Sequence, residues 1–82
     1  MGKKLYVGNL SPTVNRAVLE ELFGAYGTVA GSALVCDRVT GESRGFGFVE
    51  MSSESQARTA IAALDGKAHE GTMLIVTEAR GS

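Results

Sequence analysis

The chain has 82 residues, 44% hydrophobic and 21% charged, with a formal net charge of −1. That length holds one domain, expected over residues 1–82, and leaves no room for a second. The apolar runs are too short for a membrane-spanning helix, the opening residues lack the apolar stretch of a secretory signal, and a single cysteine, Cys36, excludes an internal disulfide.

A lone thiol fits a reducing compartment, so a cytoplasmic location is expected, with nucleus or organelle as the alternatives. Cys36 itself is expected to be free and half-buried on a strand. A net charge near zero counts against a nucleic-acid binder, which is ordinarily basic. Its distribution counts the other way. Glu20, Glu21 and Glu54 fall in helical segments, while Lys3, Lys4, Arg38, Arg44 and Arg80 fall in or beside strands, diluted there by Asp37, Glu50 and Glu78.

The first element is a short strand in Leu5-Tyr6-Val7-Gly8-Asn9-Leu10, where Leu5 and Val7 face one way and Lys4, Tyr6 and Gly8 the other. Asn9 and Ser11-Pro12 end it. A helix follows, with Leu19, Leu22, Phe23 and Tyr26 on one stripe and Gly27 placed to stop it. Val29 to Cys36 reads as a second strand, with Ala33 and Val35 on its open side. A polar loop from Asp37 to Ser43 leads to the third strand, Arg44-Gly45-Phe46-Gly47-Phe48-Val49-Glu50-Met51. There Arg44, Phe46, Phe48 and Glu50 share one face, and Gly45, Gly47, Val49 and Met51 the other. Ser53 and Gln56 make a capping box for a second helix, whose stripe is Ala57, Ala60, Ile61 and Leu64. After Asp65-Gly66, a turn or short hairpin around Glu70-Gly71 leads to a fourth strand, Met73 to Thr77.

The order β-α-β-β-α-β makes an α+β fold of the ferredoxin-like kind. It is a four-stranded antiparallel sheet with both helices on one face. Tyr6, Phe46 and Phe48 then cluster on the open face, because the first and third strands are central neighbours. Flat rings beside charges suit stacking on bases, at about 1–3 kcal/mol per base whichever base it is. Gly45 and Gly47 are expected to let a helix approach, and Gly8 to leave room above the strand for a base.

The chain resembles the RNA-recognition motif family. Residues 44–51 match that family's octamer in the first seven places, Met51 replacing the usual Phe or Tyr, and residues 5–10 match its hexamer. Gly66, Gly71, Leu74, Val76 and Ala79 fit its C-terminal pattern, so the likeness runs from about residue 4 to residue 80. It is strongest toward small single-domain bacterial and organellar members. The resemblance implies that Tyr6 and Phe48 each stack a base, Phe46 lies near the sugars and Arg44 meets phosphate. Lys4, Asn9 and Arg80 complete the expected contact set. Members often carry a basic residue where Ala33 and Val35 stand, which lowers the expected affinity.

The expected activity is binding of about two to four nucleotides of single-stranded RNA with low sequence selectivity. Single-stranded DNA is a second expected ligand, and an RNA-chaperone or post-transcriptional role a use. The alternative is a protein-interaction adaptor using the same sheet face. No nucleophile–base pair, phosphate loop or metal-ligand spacing is evident, so no enzyme, cofactor or metal is expected. A monomer is expected. His69 reads as a surface turn residue, and Asp37-Arg38 as a loop salt bridge.

Overall fold

The computed structural model of the chain describes residues 3–79, so Arg80 lies outside the described residues. Its elements are β1 (Lys4–Gly8), α1 (Arg16–Gly24), β2 (Val29–Cys36), β3 (Ser43–Met51), α2 (Glu54–Leu64), β4 (Ala68–His69), β5 (Thr72–Met73) and β6 (Ile75–Glu78). Four strands form one antiparallel sheet in the order β2-β3-β1-β6, and β4 and β5 form a separate hairpin. The expected α+β architecture is therefore present, with β1 and β3 at the centre.

Alternation along β1 and β3 decides which face is covered. Leu5, Val7, Val49 and Met51 are fully buried and share one cluster with Leu19 and Phe23 of α1, Ala57, Ala60 and Leu64 of α2, and Val76 of β6. Burying each large side chain of this kind contributes about 1.5–3 kcal/mol. The same cluster fixes the pairing Lys4↔Glu50, Leu5↔Val49, Tyr6↔Phe48 and Val7↔Gly47. A slip of one residue would carry the core side chains to the wet face.

Both helices begin on side-chain caps. Asn15 Oδ1 accepts from the Val18 N–H at 2.9 Å, and Ser53 Oγ from the Gln56 N–H at 3.2 Å. The reciprocal half of the capping box is replaced. Gln56 Oε1 accepts from the Thr28 N–H at 2.8 Å and the Ser52 hydroxyl at 2.9 Å, tying the start of α2 to the entry of β2. The first helix stops at Gly24 rather than Gly27, because the chain tightens there and the Tyr26 N–H donates to the Phe23 carbonyl at 3.0 Å. Tyr26 packs against the core, as its stripe position implies.

The expected fourth strand, Met73 to Thr77, is divided at Leu74. That buried residue exchanges backbone hydrogen bonds with Lys67 and Gly66 (2.9 and 2.7 Å), so Met73 belongs to the hairpin and the sheet strand starts at Ile75. Asp65 Oδ1 accepts from the Val76 N–H at 2.9 Å and anchors that entry.

Several local expectations are corrected. Cys36 is free but exposed, since the register of β2 against β3 shifts between Leu34 and Cys36 near the strand's end. His69 is a half-buried strand residue whose Nδ1 is shielded from solvent without a hydrogen-bond partner. Asp37 pairs with Arg44, at 3.8 Å, and not with Arg38. The helical acids are partly neutralised by helical arginines, Arg16 with Glu20 and Arg58 with Glu54, which reduces the expected separation of acid from base.

Candidate nucleic-acid interface

The face of the sheet away from the helices is built by the residues that alternate with the core. From β1 come Lys4, Tyr6 and Gly8, and from β3 Arg44, Phe46, Phe48 and Glu50. Cross-strand pairing adds Ala33 and Gly31 of β2 and Thr77 and Ile75 of β6. Ile75 is 51% exposed, and Met73 beside it 61%. Sequence reasoning left Ile75 and Thr77 unassigned. The signal was there in the buried Leu74 and Val76, which put their neighbours on the opposite side.

Tyr6, Phe46 and Phe48 do meet. The Tyr6 centroid is 5.9 Å from each of the others, tilted 33° to Phe46 and 67° to Phe48. Phe46 and Phe48 stand nearly perpendicular, 87° apart with centroids 6.4 Å distant. Such edge-to-face contacts hold rings in place at about 0.5–1.5 kcal/mol each. The three are half-buried, each packed by the other two, and form a ridged surface rather than a flat one.

Three glycines make the ridge and are used differently from expectation. A Cβ on Gly8 would lie 2.7–3.0 Å from Oη, Cε2 and Cζ of Tyr6. The space above Gly8 is thus filled by the Tyr6 ring lying along the strand. A Cβ on Gly47 would strike the backbone carbonyl of Ala33, so its missing side chain admits β2 and not a helix. Gly45 has φ +86°, in the left-handed region that other residues rarely adopt, and its carbonyl accepts from the Leu10 N–H at 2.8 Å. That bend turns the start of β3 over the end of β1.

Cationic side chains flank the rings at opposite ends. Lys4 Nζ sits 5.6 Å from the Phe48 centroid, a cation–π contact worth about 0.5–1 kcal/mol at an exposed site. Arg44 is exposed at the far end and is steered by Asp37. Asp37 is itself fixed, because its Oδ1 accepts from the Val39 and Thr40 N–H groups at 2.8 and 3.0 Å. Those backbone hydrogen bonds, Thr40's first, hold its carboxyl below the ordinary carboxylate range. Asn9 takes a left-handed conformation, φ 58°, and its Nδ2 donates to the Met73 carbonyl at 2.7 Å. Its amide therefore joins the end of β1 to the β4–β5 hairpin. Among the described residues no group of three or more His, Cys, Asp or Glu could hold a metal ion, and no helix is long and apolar enough to cross a membrane.

Known proteins resemble this chain in sequence and fold. The family model described as RNA recognition motif matches residues 5–74. The 28 kDa chloroplastic ribonucleoprotein of Spinacia oleracea is 51% identical over 76 residues, 93% of this chain, which spans 33% of that protein. A putative RNA-binding protein, RbpA, of Nostoc is 50% identical over 93% of this chain, which spans 74% of it. A solved Sex-lethal protein/RNA complex superposes with a TM-score of 0.90 at 35% identity, covering 94% of this chain and 47% of that one. A match to the family model over most of its length, on a sheet whose central strands carry the three rings, makes this chain a member of the RNA recognition motif family.

Proposed function

We propose that this chain is a non-catalytic module that binds single-stranded RNA on the open face of its sheet. The observation that carries the reading is the cluster of Tyr6, Phe46 and Phe48 on the side of β1 and β3 that no helix covers. Aromatic rings exposed in a group on a small domain call for a flat partner. The names of the Spinacia and Nostoc relatives and the Sex-lethal complex with RNA support RNA as that partner.

In this reading Tyr6 and Phe48 each stack a base, and Phe46 packs between them against sugar. Lys4 and Arg44 meet phosphates; Arg80, a further expected contact, lies outside the described residues. Asn9 acts mainly by holding the end of β1 under the rings. With two or three phosphate contacts, the logarithm of affinity falls against that of salt with a slope of about −1.4 to −2.1, shallow for this class. Stacking does not sense the 2′-hydroxyl, so single-stranded DNA is a second ligand for the same rings. The single domain acts as a monomer in the interior of a bacterium or an organelle, the setting of a post-transcriptional or chaperone role.

Fluorescence anisotropy with a labelled single-stranded RNA octamer tests the proposal. The Phe46→Ala/Phe48→Ala double variant, shown folded by circular dichroism, is expected to lose the Phe48 stack, about 1–3 kcal/mol of binding, together with the Phe46 sugar contact. Undiminished affinity in that folded variant overturns the stacking claim. A peptide that binds the same face while oligonucleotides do not would establish the adaptor reading instead.

A further inference from the structure

We infer that the corner of the open face between Lys4 and Glu50 reads guanine, giving the stacking surface one selective position. The inference rests on the proposed RNA binding and adds a base identity to it. At this corner Glu50 is paired across strands with Lys4 of β1 on one side and Gly31 of β2 on the other. Together with Ser32, Ala33 and Phe48 these residues line a shallow pocket of about 180 Å³.

The pocket is open because β2 carries small residues there. A Cβ placed on Gly31 would meet nothing within 4 Å, and Ala33, across from Phe48, is exposed. Its sides are the Phe48 ring, one carboxylate and one ammonium. Lys4 lies over that ring in the free protein. A base that stacks on Phe48 displaces the ammonium to its own edge.

Chemistry then selects the base. Glu50 offers two acceptor oxygens and no donor, and Lys4 offers donors only. Guanine alone presents two adjacent donors on its Watson–Crick edge, N1–H and N2–H, beside an acceptor, O6. The carboxylate takes the two donors side by side and the ammonium takes O6. Uracil has one N–H between two carbonyls, and cytosine and adenine each set one amino group beside an acceptor nitrogen. Each of these brings a lone pair against the carboxylate. Glu50 also calls for a use, since it is exposed beside rings that receive a polyanion. The ion pairs of the described residues are Arg16–Glu20, Arg44–Asp37 and Arg58–Glu54, and Glu50 takes part in none.

The test compares fluorescein-labelled heptamers at fixed salt, all-uridine against the same strand with one central guanosine or inosine. The native chain is expected to bind the guanosine strand about tenfold more tightly than all-uridine, a bidentate pair's usual discrimination. Inosine lacks the N2 amino group and falls between. Glu50→Gln removes one acceptor and brings the ratio toward one. Gly31→Val places its Cβ where no neighbour lies within 4 Å, narrows the pocket and suits a strand. It also brings the ratio toward one. Measurable uridine binding with no guanosine preference overturns the inference and leaves the stacking reading intact, as does a preference unchanged in both folded variants. Failure of every heptamer to bind overturns both.

Discussion

Phe23 and Phe48 are the same side chain in opposite circumstances. Phe23 is fully buried on α1 against the helix-covered face of the sheet, and Phe48 stands half-exposed on the other face among two rings and an ammonium. Both lie in strongly patterned segments, yet the company each keeps in sequence differs. Phe23 follows the 3.6-residue spacing of Leu19 and Tyr26, so its stripe is apolar throughout. Phe48 alternates with Gly47 and Val49 and shares its face with Arg44 and Glu50. A large apolar residue in register with other apolar residues serves the fold. One in register with charges is available to a ligand.

This contrast sets a ranked series of expectations. Phe23→Ala opens a cavity in the core and is expected to destabilise the domain by about 3–5 kcal/mol, read by urea unfolding. A cost near zero would mean that the two faces are not distinct. Gly47→Ala sharpens the comparison at the strand between them. Its new methyl meets the Ala33 carbonyl, so about 1–3 kcal/mol of stability is expected to be lost although only one carbon is added. Phe48→Ala should act the other way round from Phe23→Ala. It removes about 1–3 kcal/mol of RNA affinity by calorimetric titration, with the unfolding midpoint little moved.

The smallest effect concerns pH at the Arg44 end. The Asp37 carboxyl is held below its ordinary value of 3.8 by the Thr40 and Val39 N–H groups. A depressed folded-state pKa adds stability above the unfolded value, and that stability is lost as pH falls through the folded one. Thermal melts should therefore show Asp37→Ala less stable than the parent at neutral pH, with the gap closing below about pH 4. A gap that persists in strong acid would show that the loop is held without that charge.

Much of this was legible from the chain alone. Periodicity located both helices, the three long strands and the open-face position of all three rings, because it reports which residues share a face. It could not report what meets across strands. Gly8 reads as empty space until the Tyr6 ring is seen lying over it, and Gly47 reads as a gap for a helix until the Ala33 carbonyl is seen beside it. Asp37 finds Arg44, seven positions along the chain, only once the loop has folded back on β3. The division at Leu74 rests on backbone bonds to Lys67 and Gly66, and no side-chain pattern announces those. Nor does alternation reveal that Ile75 stands opposite Gly8, a partner set by pairing in the sheet.

The central claim is that ligand meets the face opposite Phe23. Titrating isotope-labelled protein with a random-sequence single-stranded RNA, and following backbone amides by NMR, tests it most directly. Shifts concentrated in β1 and β3 around Tyr6, Phe46 and Phe48, with α1 and α2 quiet, are the predicted result. Shifts centred on the helices, or none at saturating RNA, would contradict it.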